Sequence, residues 1–331
     1  MGKILTISIA AYNAENDIKR CLDSMINTRV LDKLDIVVIN DGSTDSTSNV
    51  VENYTSKYPD SIRLINKSNG GHGSTINVGI KNARGKYFKI VDSDDWVDKD
   101  GIEKLVDFLS SNDVDMIMNP YHEVSYDNIL CRKLFDPSCN ETEVRHIYSI
   151  DRLKGNEVLY MHSLTFKTDC MHNMGPIIDE NCFYVDMEYC IFPMPYIRTY
   201  VYLDFPVYEY LLGSQNQSMA MNNLIKRRDQ HLAVTKRIIE FYLQNQGNVN
   251  EKVRSIIAER IKYAVYQQYK IFLYMGNDDG KEEAKTFDAW LKLQNKEIYH
   301  GPKGRMMKVI RLLRKTNFCG YAWISRVIKL S

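Results

Sequence analysis

The chain has no run of apolar residues approaching the roughly 18 that a membrane-spanning helix requires. No spanning segment is therefore expected. A secretory leader pattern is missing too. The apolar stretch at residues 4–11 is too short for one and runs straight into Tyr12, Asn13, Ala14 and Glu15. It reads as a first strand. The seven cysteines (21, 131, 139, 170, 182, 190, 319) are odd in number and form no Cys-x-x-Cys pair. This excludes a zinc ribbon and a disulfide framework, and reads as reduced thiols in a cytoplasmic protein. The sequon Asn140, Glu141, Thr142 is then without meaning for glycosylation. Charge of one sign is also lacking. Lys and Arg total 43 against 42 Asp and Glu, a net charge of +1, so there is no global field for nucleic acid. No internal repeat or low-complexity tract stands out. What remains is ordinary for a globular chain: 331 residues, 44% hydrophobic and 26% charged. That length supports one large domain plus an addition.

Against this background one stretch carries unusual chemistry. Residues 87–91 read as a buried strand after Gly85, and three carboxylates follow in four residues: Asp92, Asp94 and Asp95. In extended chain, residues two apart point to one side, so Asp92 and Asp94 are expected to share a space. Carboxylates that close repel unless a cation lies between them. Oxygen-only ligands favour Mg²⁺ or Mn²⁺. A simple turn after the strand accounts for one or two of these acids, hardly three.

Strand and helix patterns alternate through the first 120 residues. Strands are expected at residues 4–10, 35–39, 62–65, 86–91 and 114–118, with helices between them. Asn13 is expected to cap the first helix, which carries Ile18, Leu22, Met25 and Ile26 on one face. This alternation predicts an α/β fold, a mostly parallel sheet flanked by helices with right-handed crossovers. Ligands then bind beyond the carboxyl ends of the strands. Three strands end in polar clusters: Ala11-Tyr12-Asn13, Asp41-Gly42-Ser43, and Asp92 to Asp95.

Beyond residue 121 the alternation fades. Residues 126–148 look loop-rich, 161–166 and 201–210 look like strands, and a loop from Asp179 opens a short helix near Asp186. Helices are expected at 222–246, 249–275 and 278–296. In the second, Val253, Ile257, Ile261, Ala264, Val265, Phe272 and Met275 form a core stripe. The expected division is an α/β domain at 1–214, with a break at residue 120 between 1–120 and 121–214, then a helical region at 215–331. Residues 303–331 hold eight Lys or Arg and no acid. Met306, Met307, Val309, Ile310, Leu312 and Leu313 lie among them at near-helical spacing. That suits either an amphipathic helix on an anionic membrane or a helix packed on its own domain or a second subunit.

Several of these motifs together resemble the family 2 inverting glycosyltransferases of GT-A fold. They are Ala11-Tyr12-Asn13 with Glu15, the run from Val38 to Asp45, Asn77-x-Gly79 with Ala83-x-Gly85, and the run from Ile90 to Trp96. The resemblance is dense over about the first 100 residues and thins towards residue 218. It implies a UDP-sugar donor with Mn²⁺ or Mg²⁺, and a growing glycan, lipid-linked or on protein, as acceptor, in bacterial surface-polysaccharide or glycoprotein assembly. Tyr12 would flank the uracil, Asp41 would accept its N3–H, Asp92 would take the ribose hydroxyls and Asp94 the metal. Asp95 would either support these by a hydrogen bond or, the preferred reading, cap the next turn. Ala11, Asn13, Glu15, Gly71, His72 and Ser93 complete the donor set, Ala11 standing where proline is commoner.

Inversion needs a base opposite the leaving nucleotide. The family supplies it from a Glu-Asp pair opening a helix. Here the match is Val185-Asp186: Asp186 keeps the base and Val185 departs from the pattern. Glu188 is a rival in the wrong register, and helix capping is the plain alternative for Asp186. Gly70-Gly71-His72-Gly73 opens a helix towards phosphate or sugar, or is only a turn. Residues 215–218 fall where the family places a loop over both substrates, and His162 and Tyr210 either line the acceptor side or pack. A nucleotidyltransferase would need a basic glycine-rich loop after the first strand, and there is none. A nucleotide-sugar-binding assembly subunit without catalysis is the alternative function.

Overall fold

A computed structural model describes residues 2–137, 143–153, 159–175, 177–213 and 219–330. Cys139, the sequon at 140–142 and the loop at 215–218 lie outside the described residues. The chain divides into two compact units, Met1–Gln215 with Asn248–Val253, and Asn216–Gly247 with Arg254–Ser331.

The first unit is built on β1 (Leu5–Ala11), β2 (Leu34–Asp41), β3 (Ile62–Lys67) and β4 (Tyr87–Asp92), joined through α1 (Ile18–Ile26), α2 (Thr47–Lys57) and α3 (Gly71–Asn82). These strands pair in parallel in the order β3-β2-β1-β4. All eight residues of β2 are buried, as befits a strand covered on both faces. Leu5, Ile7 and Ile9 of β1 pack with Ile18, Leu22 and Met25 of α1 in one core. The opposite face of β1 carries small polar residues, and α3 comes very close there. A Cβ at Gly79 would fall 2.0 Å from Ser8 Oγ, so only glycine fits.

After β4 the chain continues through β5 (Trp96–Val97), α4 (Lys99–Ser111), β6 (Met116–Met118), β7 (Tyr121–Ser125), β8 (Arg132–Phe135), β9 (Ile147–Ser149), β10 (Leu164–Lys167), α5 (Thr168–Asn173), α6 (Asp186–Ile191), β11 (Thr199–Tyr202) and β12 (Tyr208–Leu212). The main sheet extends to eight strands as β3-β2-β1-β4-β10-β6-β11-β9. It is mixed, because β10 runs antiparallel to both β4 and β6. A second sheet has the order β5-β12-β7-β8. The strand expected at 201–210 is two strands, one in each sheet. Pro206 stands between them and cannot donate to a ladder. The stretch at 161–166 opens as a 3₁₀ turn, Met161–Ser163. The region expected to be loop-rich contains β8 and β9.

Asn13 does not cap α1. It sits at φ 50°, in left-handed backbone, and the helix starts five residues later at Ile18.

The second unit contains α7 (Met221–Lys226), α8 (Arg228–Asn245), most of α9 (Glu251–Met275), α10 (Asp278–Gln294), α11 (Lys296–His300), α12 (Arg305–Lys315) and α13 (Tyr321–Leu330). Two expected helices are each broken once. Asn295 ends α10 and caps α11 by accepting from Ile298 N. The stripe on α9 is buried from Val253 to Phe272, and Met275 is half-buried. A polar knot joins four helices. Asp288 takes Arg314 at 2.6 Å, Tyr269 Oη at 2.6 Å and Tyr299 Oη at 3.0 Å. The basic terminal segment is two helices, with Met307, Ile310 and Leu313 of α12 fully buried.

Candidate active site

In the order β3-β2-β1-β4 the chain steps outward from β1 to β3 and then returns to β4. The direction reverses between β1 and β4, where a crevice opens at the carboxyl ends. Register sets Ala11 beside Asn40 and Ala10 beside Asp92. The three polar clusters therefore share one sheet edge, as expected.

The carboxylates meet for a different reason from the one the sequence suggests. β4 ends at Asp92, and Asp95 N donates to Asp92 O at 3.1 Å, closing a turn. That turn, not strand alternation, brings one oxygen each of Asp92, Asp94 and Asp95 within 4.8 Å of the others. Asp95 neither caps the next turn nor faces ligand. It is buried and accepts from Tyr208 Oη at 2.6 Å and Leu211 N at 2.8 Å, fixing the acid turn to β12. Capping falls to Asp98, which accepts from Gly101 N at 2.7 Å at the start of α4.

The electrostatics separate the three acids. Burial, then the charges of Asp94 and Asp92, push Asp95 well above the carboxylate range. Burial and the charge of Asp92 push Asp94 up to about 6. Burial also works against Asp92, but the charge and hydrogen bond of His72 and the charge of His162 together outweigh it and hold Asp92 low. His72 Nε2 lies 3.2 Å from Asp92 Oδ1. Burial opposes its charge, and Asp92, Asp186 and Asp94 together lift its pKa above the ordinary value. Asp94 is the exposed member of the trio, crowded by negative charge and open to a cation.

The loop before α3 is shaped by Asp41. This residue is 3% exposed. Its oxygens accept from Lys67 Nζ at 2.6 Å, Gly70 N at 2.9 Å, Gly71 N at 2.8 Å and Ser74 Oγ at 3.3 Å. Three of these bonds fall on Oδ1, and Oδ2 accepts only from Gly71 N, so Oδ2 keeps a lone pair for a further donor. Gly71, at φ 78°, turns the chain into α3 and sets His72 over the acid turn. Ala11 is 1% exposed and packs in the core. Asn13 and Glu15 tie two loops together: Asn13 Oδ1 accepts from Thr44 N at 2.8 Å, and Glu15 Oε2 from Ser46 N at 2.9 Å. Between them Tyr12 stays 55% exposed. Ser93 is half-buried in the acid turn.

Asp186 is the first residue of α6, half-buried. Its charge bears on both His72 and Tyr210, so it belongs to the same space as the acid turn. Val185 is fully buried. The rival Glu188 is fully buried, with Oε2 accepting from Asp179 N at 2.8 Å. His162 stacks on Tyr210 with ring centroids 4.1 Å apart.

Three residues that sequence reading missed hold the site. Arg20 donates to Asp94 O at 2.6 Å and lies 4.5 Å over the Trp96 ring. Tyr208 accepts from Asp92 N at 3.1 Å while donating to Asp95. Lys89 is fully buried on β4 and donates to the carbonyls of His162 at 2.9 Å and Leu164 at 3.1 Å. Burial pushes it down to about 7. A lysine inside a hydrophobic strand was the one visible signal; the others act across 74 and 116 positions.

Comparison with known proteins agrees with this architecture. The sequence profile of Glycosyl transferase family 2 matches residues 6–171, half of the chain. The chain belongs to that family. Over 118 residues it is 35% identical to glycosyltransferase GlyA of Streptococcus pneumoniae, covering 36% of this chain and 17% of that protein. Over 128 residues it is 36% identical to chondroitin synthase of Pasteurella multocida, covering 38% of this chain and 13% of that one. The chain thus spans only a small part of these two relatives. Its fold is similar to S. aureus TarS in a crystal structure with UDP-GlcNAc, with TM-score 0.71 and 16% identity over 99% of this chain and 92% of that one.

Proposed function

We propose that this protein is a metal-dependent, inverting glycosyltransferase that moves a sugar from a UDP-sugar to a hydroxyl of a growing glycan. The observation carrying the proposal is Asp94: an exposed carboxylate in an oxygen-only trio, at the sheet edge where ligands bind, with its pKa pushed up by burial and by the charge of Asp92. Asp95 has its oxygens filled by Tyr208 and Leu211, so Asp94, with Asp92 beside it, would hold a Mn²⁺ or Mg²⁺ ion bound with the diphosphate. When bound, that ion neutralises charge gathering on the leaving nucleotide. The family and the fold shared with TarS, seen with UDP-GlcNAc, support a UDP-sugar donor.

The protein's own groups do the rest. Tyr12 offers an exposed ring face to the base. Asp92, held ionised beside His72, accepts ribose hydroxyls. Asp41, which also holds the loop that carries Gly71 and His72, accepts the N3–H of the uracil. Asp186 receives the acceptor hydroxyl's proton as its oxygen attacks the sugar carbon from the side opposite the nucleotide. The test is a screen of UDP-sugars with an oligosaccharide acceptor, run with the native protein and Asp186→Asn. The variant is expected to keep donor binding and lose about 100-fold or more of transfer. Undiminished transfer by Asp186→Asn removes the base assignment.

A further inference from the structure

The two last helices carry exposed side chains to which the proposed transfer assigns no role. Residues 303–331 carry eight positive charges and no negative one, so the rest of the chain sums to −7 (1 − 8). Among the described residues, Arg314 alone of the eight has an acidic partner, Asp288. Helix α12 turns Met307, Ile310 and Leu313 inward and leaves Arg305, Lys308, Arg311, Leu312 and Lys315 exposed. Helix α13 buries Tyr321 and Ser325 and holds Trp323 71% exposed and Val327 45% exposed. These two lie one turn apart on a single helix face. Arg326 stands beside them, also exposed. Leu312 on α12 is 56% exposed. The other tryptophans differ: Trp96 is 7% exposed and Trp290 is half-buried.

An exposed indole with aliphatic neighbours among lysines and arginines matches a lipid headgroup boundary. There the ring finds a half-apolar layer, and the cations find phosphate. A second copy of this chain fits poorly. A two-fold contact sets a patch against itself, here positive on positive. A nucleic acid would satisfy the charge and leave Val327 and Leu312 in water. We propose that α12 and α13 dock this protein on an anionic lipid bilayer. Trp323 and Val327 enter the headgroup layer, while Lys308, Lys315 and Arg326 meet the anionic headgroups.

The test is co-sedimentation of the full chain with phosphatidylcholine vesicles, with and without phosphatidylglycerol. Retention is expected only on the anionic vesicles, weakening as salt rises. The tryptophan emission should shift to the blue on those vesicles, and Trp323→Phe should remove the shift. Lys308→Ala with Arg326→Ala should lower partition about 25-fold, at about fivefold per charge. Trp323→Ala should lower it about tenfold. These side chains are exposed, so thermal unfolding should not change, which separates lost docking from lost fold. Equal retention on neutral vesicles, variants that bind like the native chain, self-association without vesicle binding, or tighter retention by an oligonucleotide would each overturn the proposal.

Discussion

Lys89 shows how much of this site depends on single side chains that the motif does not name. Its ammonium is fully buried, 5.5 Å from the Tyr208 ring centroid, with two carbonyl acceptors. Its folded pKa of about 7 lies below the ordinary lysine value of 10.5. The unfolded chain therefore binds the extra proton between those values, and stability rises with pH across that window. The penalty is largest below pH 7 and vanishes above the unfolded pKa. Lys89→Met should accordingly gain stability relative to the native protein at pH 6, and gain less at pH 9.5, in paired urea unfolding curves. An equal difference at both values would mean that Lys89 keeps its ordinary pKa and stays ionised in the folded protein. At this scale the sequence was most legible where the chemistry is contiguous. Asp92 and Asp94 were read from a local run and Asp186 from the family's order, and the three lie in one space. The groups that bond Asp41 and Glu188, namely Gly70, Gly71 and Asp179, are supplied by turns whose geometry no spacing encodes.

Elements carry these residues into place, and α3 does so by close approach. A Cβ at Gly73 would fall 1.8 Å from Asp179 O, in the loop whose next link, Asp179 N to Glu188, positions α6 and Asp186. Gly73→Ala is predicted to cost about 1–3 kcal/mol through overpacking. It should also slow transfer more than it weakens donor binding, read as a fall in kcat at little-changed donor KM. A variant with native stability and native kcat would show that α3 and the Asp179 loop are independent. The parallel strands β1, β2 and β4 were legible because strands buried on both faces read as apolar runs bounded by Gly and acids, whereas β3, partly buried at the sheet edge, showed only as the short run 62–65. The later strands were not. β6, β9 and β11 are three or four residues long, too short for periodicity, and their pairing is set by distant partners such as β10 with β4 and β6.

The whole molecule joins two units of different character, a mixed-sheet unit bearing the acid turn and a helical unit tied by Asp288. Arg314 and the Tyr269 and Tyr299 hydroxyls all converge on that carboxylate. Asp288→Ala leaves a buried guanidinium uncompensated, and should cost about 3–5 kcal/mol in thermal or denaturant unfolding. A change below about 1 kcal/mol would mean the ion pair does not hold the helices. The helical unit was legible as helices, and its polar knot was not, because its members are spread over 45 positions. The central claim concerns the other unit, where Asp94 is assigned to a divalent ion and a nucleoside diphosphate. Titration calorimetry of UDP, with Mn²⁺ and with EDTA, on the native protein and on Asp94→Asn tests it directly. Mn²⁺ should tighten UDP binding at least about tenfold in the native protein and have no effect in the variant. Equal UDP affinity with and without the metal, or an undiminished metal effect in Asp94→Asn, would contradict the account.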